Sequence, residues 1–324
     1  MQDQLSFVFL PPQDDIIRGW HHRLTASSSP FKFHLAENQA DALALIAGAD
    51  AAYGEVTPEL LSRASKLKWL QAPYAAPPEG FFPDFLQQHK LVLTNFRGIY
   101  SDHIAVHVMA YILGFARGLH YYLPRQFKHE WNPEPLDTGV IPLPGKTVLI
   151  VGVGGIGSEL ARLCAAFGLR VIGVDARRTE PVQYVQRVAA AGELDQLLPE
   201  ADFLVVTVPL TPATRLMFKR DRFRAMKSSA FFINVGRGGT TSIADLIEAL
   251  NAGDLAGAGL DVFEDEPLLP EHPLWRTPNL LITPHMASYG PDLDERRFAI
   301  IRDNCERFAS GKPLHNVVDK VQGF

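Results

Sequence analysis

Gly152, Gly154 and Gly157 stand in GxGxxG spacing, directly after the apolar run Thr147–Val151. They open a helical pattern that puts Ile156, Leu160, Leu163 and Phe167 on one face. Glycines so placed act through the backbone. Gly152 permits a tight turn, Gly154 lets the main chain approach a pyrophosphate, and Gly157 lets helix and strand pack closely. The helix N-terminus then offers N–H groups and a positive dipole end to the phosphates. A second strand-like run ends at Asp175, about twenty residues on, as the dinucleotide fingerprint requires. A carboxylate there accepts hydrogen bonds from ribose hydroxyls and repels a 2′-phosphate, which favours NAD. Arg177 and Arg178 keep NADP open, because they can embrace a 2′-phosphate or stand as solvated loop cations.

Three further segments end strand-like runs downstream. They are Asn234-Val235-Gly236-Arg237-Gly238, Asp261-Val262-Phe263-Glu264-Asp265-Glu266-Pro267 and Thr283-Pro284-His285-Met286-Ala287-Ser288. Ligands of open α/β sheets bind beyond the carboxyl ends of strands, so all three are placed to meet a dinucleotide. They supply a fixed cation, a carboxylate and an imidazole. Hydride transfer to a 2-oxo acid needs those parts: a fork for the substrate carboxylate, a proton donor for the carbonyl oxygen, and a group that keeps the donor charged. Singly, each has a plainer reading: Arg237 as a phosphate or ion-pair residue, Glu266 as one charge of an acidic loop, His285 as a satisfied turn histidine. In series, at strand ends behind a dinucleotide loop, they point to catalysis.

The elements that must position these groups alternate between strand-like and helix-like from end to end, which is the pattern of an α/β protein. In the first part the strand candidates are Leu5–Leu10, Phe31–Leu35, Asp50–Tyr53, Leu67–Gln71 and Leu91–Thr94. Thr57-Pro58 reads as a helix start, an N-cap hydroxyl before proline at the first helical position. Ser101 opens a longer helix with Ile104, Val108, Ile112, Phe115 and Leu119 on one face. A proline-rich stretch from Trp131 to Pro144 reads as a loop before a second series of strands: Thr147–Val151, Arg170–Val174, Asp202–Val208, Ala230–Val235, Gly257–Val262 and Leu280–Thr283. From Pro291 a last helix sets Phe298, Ile301, Cys305 and Phe308 on one side.

Composition narrows the classes. The chain has 324 residues, enough for two domains that each bury a core, and it is 47% hydrophobic and 21% charged. A net charge of −5 without a block of Lys/Arg leaves no footprint for nucleic acid or an anionic membrane. Two cysteines, Cys164 and Cys305, make neither a disulfide framework nor a zinc site, and both read as buried thiols in a reducing compartment. The N-terminal MQDQLSFVFLPPQDD has no basic export region and too short an apolar run to span a membrane, so a cytoplasmic location is expected. His103 and His107 share a helix face, but no third ligand is evident, and no metal is expected. Phe81-Phe82-Pro83 and Phe231-Phe232 read as core, and Arg220–Arg224 as a solvated helix start.

On GVGGIGSELARLCAAFG, ADFLVVTVPLTPATR, FFINVGRGG, GAGLDVFEDEPL and LLITPHMAS, the chain resembles the D-isomer-specific 2-hydroxyacid dehydrogenase family over almost its whole length. The resemblance implies Arg237 as the substrate-anchoring arginine, Glu266 as the carboxylate paired with the histidine, and His285 as the acid/base. It implies cofactor contacts from Gly155, Ile156, Asp175, Thr207, Pro209, Val235, Gly236 and Asp261. It also implies two Rossmann/flavodoxin-like doubly wound parallel-sheet domains with the active site in the cleft between them. The substrate domain is then discontinuous, 1–97 and 287–324, with an NAD-binding domain at 98–286 between its parts, and the Ser101 helix helps to form a homodimer. Glyoxylate or hydroxypyruvate is the expected substrate.

Two positions depart from the family pattern. Where the family usually shows Ala-Gly in a substrate loop, this chain has Tyr74-Ala75-Ala76-Pro77-Pro78; the amides of Ala75 and Ala76 can still bind a carboxylate, with fewer backbone options. In the helix after Ser101 the family often carries Ala-Glu, and here the run is Ala105-Val106-His107. The rival reading is an NAD-binding corepressor-like interaction protein, since some relatives of this family act so; a Rossmann-type methyltransferase is disfavoured by Asp175 with the Arg/Glu/His series.

Overall fold

In a computed structural model, residues 4–75, 83–131, 140–178 and 180–320 are described. The chain divides into two compact units, Met1–Ile99 with Gly290–Phe324, and Tyr100–Tyr289. These limits lie a few residues beyond 97 and 286.

In the first unit, strands β1 (Leu5–Phe9), β2 (Phe31–Leu35), β3 (Ala51–Tyr53), β4 (Trp69–Gln71) and β5 (Val92–Thr94) form a parallel sheet in the order β2-β1-β3-β4-β5, the flavodoxin-like order. Its helices begin as the sequence suggests: Thr57 Oγ1 accepts from Leu60 N at 3.2 Å and Pro58 occupies the first turn. The Leu293–Ala309 helix returns to this unit, with Phe298, Ile301 and Cys305 buried and Phe308 stacked on Trp69.

The second unit holds the glycine loop and the segments of Arg237, Glu266 and His285. Its strands are β6 (Thr147–Val151), β7 (Arg170–Asp175), β8 (Arg187–Ala190), β9 (Phe203–Val206), β10 (Phe231–Asn234), β11 (Gly257–Leu260) and β12 (Leu280–Ile282). All pair in parallel, in the order β12-β11-β10-β9-β6-β7-β8. Parallel strands are covered on both faces, so β6, β9 and β10 are buried along their whole length. Alternate residues feed two cores. Leu149, Val151, Leu204, Val206 and Phe232 enter one, and Val148, Ile150, Phe203, Val205 and Phe231 enter the other with Val108, Ile112 and Phe115 of the Ser101–Ala116 helix. Strand order reverses between β6 and β9, which is where such sheets open a ligand crevice.

Three details correct the sequence reading. The Ser101 helix stops at Ala116, because Gly118 takes a left-handed turn (φ 70°), so Leu119 leaves the predicted stripe and is 46% exposed on a separate helix, Leu119–Phe127. Phe167 is the C-cap of the Gly155–Ala166 helix rather than part of its buried face. Strand β8 was not anticipated: it is a short edge strand whose only buried residue is Ala189, so it carries no apolar run to read. Phe81 and Phe82 lie outside the described residues, whereas Phe231 and Phe232 are core.

Candidate active site

All the chemistry-bearing segments of the second unit leave the carboxyl ends of its strands. The glycine loop follows β6. Gly152 has φ 103°, and an added Cβ would lie 2.8 Å from Thr207 Oγ1. Gly157 is buried, and a Cβ there would run into the carbonyl of Gly152. Gly154 and Gly155 are exposed, and a Cβ on Gly154 would meet nothing within 4 Å. Among the described residues no side chain caps the helix that starts at Gly155, so its first N–H groups, from Gly155 and Ile156 onward, are left to an anion. The loop therefore fits a dinucleotide pyrophosphate. Thr207 braces it from β9, donating to Gly152 O at 2.7 Å, and Pro209 is half-buried just beyond.

Asp175 is held by three backbone N–H groups. Its Oδ2 accepts from Val153 N at 2.9 Å, and its Oδ1 accepts from Arg177 N and Arg178 N at 2.9 and 3.0 Å. Burial works against its charge, but these three N–H groups and the Arg177 charge outweigh it and hold the carboxyl below its usual range. With three of roughly four acceptor sites filled, one is left for a ribose hydroxyl. Arg178 is half-buried rather than a solvated cation: its Nη1 donates to Val153 O at 2.8 Å and to Ser158 Oγ at 3.2 Å, beside the glycine loop.

His285 and Glu266 are in contact, and Arg237 lies within reach of the Glu266 charge. His285 Nδ1 lies 2.6 Å from Glu266 Oε2, and Glu266 Oε1 accepts from Phe263 N at 2.9 Å. A carboxylate accepts, which puts a proton on Nδ1 and leaves Nε2 as the ring nitrogen not engaged by Glu266. Arg237 is half-buried, with Nη1 donating to Gly236 O at 2.7 Å. Burial lowers its pKa, and the negative charge of Glu266 works against that fall. A cation, a carboxylate and an imidazole thus share one electrostatic environment.

Sequence reasoning missed Asn234. Its buried carboxamide accepts from Gly236 N at 3.0 Å and donates to Arg237 O and to the Thr240 and Thr241 hydroxyls, fixing the turn that presents Arg237. Gly238 is the other half of that device, since a Cβ there would collide with the Phe263 backbone just ahead of Glu266. An amide wired to both backbone and side chains has no spacing signature. Val235 and Gly236 are buried in the same turn. Asp261 is 2% exposed, and its carboxylate accepts from Thr283 Oγ1 (2.6 Å), Met286 N (2.9 Å) and Ala287 N (3.0 Å), so it grips the loop that carries His285.

In the first unit, Tyr74 donates its hydroxyl to Glu55, which with burial pushes the phenol up to about 12. Ala75 O accepts from Asn95 Nδ2 at 2.9 Å; Ala76 lies outside the described residues. His103 Nδ1 approaches Ser288 O at 3.3 Å and His107 Nε2 approaches Thr283 Oγ1 at 2.9 Å. Among the described residues no cluster of three or more His, Cys, Asp or Glu is placed to hold a metal, and no helix is long and apolar enough to cross a membrane.

A doubly wound parallel sheet with a pyrophosphate loop at its switch point, and an Arg/Glu/His trio on neighbouring strand ends, defines a dinucleotide-dependent oxidoreductase. Residues 109–287 match the family model described as D-isomer specific 2-hydroxyacid dehydrogenase, NAD binding domain. A glyoxylate/hydroxypyruvate reductase B of Escherichia fergusonii is 36% identical over 288 residues, 87% of each chain. Among solved structures, a D-isomer specific 2-hydroxyacid dehydrogenase family protein from Aeromonas salmonicida is similar with a TM-score of 0.81 and 34% identity, over 98% of this chain and 100% of that one. An NADPH-dependent glyoxylate/hydroxypyruvate reductase from Sinorhizobium meliloti, in complex with NADP and sulfate, gives a TM-score of 0.80 at 31% identity, over 99% of this chain and 100% of that one. The chain belongs to the D-isomer specific 2-hydroxyacid dehydrogenase family.

Proposed function

We propose that this protein reduces a small 2-oxo acid, glyoxylate or hydroxypyruvate first among them, to the corresponding 2-hydroxy acid, of D configuration where the product is chiral. The observation that carries the reading is the His285–Glu266 contact of 2.6 Å beside the Arg237 guanidinium. The bound nicotinamide cofactor supplies the hydride. Arg237 holds the substrate carboxylate and polarises the adjacent carbonyl, as a planar fork does and a point charge does not. His285 donates a proton from Nε2 to the carbonyl oxygen as negative charge gathers there, and Glu266 keeps the ring oriented and offsets its charge. The names of the relatives support this substrate class. The test is a panel of 2-oxo acids from glyoxylate to phenylpyruvate with both cofactors. Failure of every acid, with cofactor shown to be bound, would overturn the reading in favour of a corepressor-like role.

NAD is the preferred cofactor in this proposal, on the ionised carboxylate of Asp175 at the end of β7. The expected kcat/KM is higher with NADH than with NADPH by about tenfold, a difference of roughly 1.4 kcal/mol. The opposite ratio would make Arg177 and Arg178 partners of a 2′-phosphate, in keeping with the NADP bound to the Sinorhizobium protein.

A homodimer is the working form in this proposal. Leu119, Leu123 and Phe127 follow one another at i, i+4 and i+8 on one helix and are 46%, 39% and 78% exposed, with Val106 at 60% and Trp131 at 93%. Exposed apolar groups in such continuity suit a self-complementary interface. Sedimentation velocity should report a dimer, and Leu123→Glu with Phe127→Glu should yield a folded monomer; an unchanged dimer would place the interface elsewhere. The buried free thiols of Cys164 and Cys305 support a reducing compartment, the cytoplasm.

A further inference from the structure

The loop that carries His285 meets the Ser101–Ala116 helix at the hydroxyl of Thr283, and again where His103 Nδ1 approaches Ser288 O at 3.3 Å. Thr283 Oγ1 lies 2.6 Å from Asp261 Oδ1, 2.9 Å from His107 Nε2 and 2.5 Å from Tyr111 Oη. A threonine hydroxyl has one proton and two lone pairs. Its proton goes to the Asp261 carboxylate, which only accepts. One lone pair then takes the Nε2–H of His107, and the other faces the O–H of Tyr111, which also donates to Leu260 O at 3.0 Å. Burial lowers the His107 pKa, opposed by the negative charge of Asp261. The Tyr111 ring meets His107 edge-on at 4.9 Å and lies over Gly259, where an added Cβ would sit 2.9 Å from its Cγ. Beyond Thr283, Asp261 takes the amides of Met286 and Ala287, which bracket His285 with Thr283 on the other side. His285 itself has φ 51°, a left-handed conformation uncommon for a residue with a side chain, and one that persists only when its surroundings over-determine it.

We infer that Thr283, buttressed by His107 and Tyr111, is a positioning residue: it orients the Asp261 carboxylate so that the amides of Met286 and Ala287 lock His285 in its left-handed turn, aimed for proton transfer. The inference rests on the reading of His285 as the acid/base. It also gives His107 a task that does not involve metal. None of the three residues touches the reacting atoms; each acts through the loop.

The test compares Thr283→Val, which keeps the shape and removes the hydroxyl, with Thr283→Ser, which keeps the hydroxyl. Thr283→Val should lower kcat for oxo-acid reduction about tenfold or more, the scale of one lost hydrogen bond that aims a catalytic group, with the NADH dissociation constant within about twofold of wild type. Thr283→Ser should restore most of kcat. Protein labelled with [15N]methionine gives four amide signals, from Met109, Met217, Met226 and Met286, and that of Met286 should exchange with solvent about tenfold faster in Thr283→Val but not in Thr283→Ser. Tyr111→Phe, a milder change, should move the same two readouts in the same direction. Wild-type kcat and wild-type Met286 exchange in Thr283→Val would overturn the inference, as would a serine variant impaired as much as the valine one. If the wild-type protein reduces no oxo acid, the reading of the function fails, while Met286 exchange still decides the clamp.

Discussion

His285→Ala lowers kcat for oxo-acid reduction by about a hundredfold or more, the usual scale for a lost general acid. The reason is specific to the geometry. With Nδ1 held 2.6 Å from Glu266 Oε2, only Nε2 can deliver a proton to the developing alkoxide, and alanine offers water in its place. NADH affinity should be nearly unchanged, since the glycine loop, Thr207 and Asp175 are built without reference to this ring. Glu266→Gln should produce a smaller loss of roughly tenfold to a hundredfold. The amide keeps the shape but removes the anion that selects the tautomer and offsets the ring's charge. The measurement is steady-state kcat for both variants, with a primary isotope effect from 4-deuterated NADH to show that hydride transfer limits the rate. A His285→Ala enzyme of wild-type kcat with a full isotope effect would remove the histidine from the chemistry.

The parts of this chain legible in sequence are those where one residue type has one structural use. The apolar runs of β6, β9 and β10 read as strands because both faces are covered. GxGxxG read as a phosphate loop because the surrounding strand and helix leave no other use for three glycines at that spacing. Arg237, Glu266 and His285 were legible by order alone; their convergence depends on strand order, which no local pattern encodes. The supporting residues were opaque for a different reason. Asn234 and Thr283 make their contacts in three dimensions, and the bonds of the Asp261 carboxylate to a hydroxyl and two amides have no spacing signature either. For Arg178 the sequence leaves a phosphate partner and a solvated cation both open, because charge alone does not show that the guanidinium binds a carbonyl and a hydroxyl at the foot of a helix. Leu119 was misplaced because the helical period continues in sequence past Gly118, where the backbone does not.

Arg237→Lys raises KM for the oxo acid and lowers kcat together, leaving the NADH dissociation constant nearly unchanged. A guanidinium presents two parallel donors to a carboxylate, and the ammonium of lysine presents a point charge on a flexible stem. One charge-assisted hydrogen bond is worth about 1.5–3 kcal/mol, so kcat/KM should fall roughly ten- to a hundredfold from the lost fork alone. Desolvation adds to this. Burial already lowers the arginine pKa against the pull of Glu266, yet a guanidinium stays charged under that penalty. A lysine shifts far more readily when buried, so the substituted side chain would spend part of its time neutral at the pH of the assay. The loss should therefore shrink as the pH is lowered, because protonation returns the charge though not the fork. Arg237→Ala should be worse than Arg237→Lys, since it also strips Glu266 of its neighbouring cation and disturbs the carboxylate that aligns His285. Initial rates across oxo-acid concentration, with NADH binding followed by fluorescence, separate the two effects. A loss of NADH affinity as large as the loss in kcat/KM would move Arg237 from the substrate's carboxylate to the cofactor's phosphates.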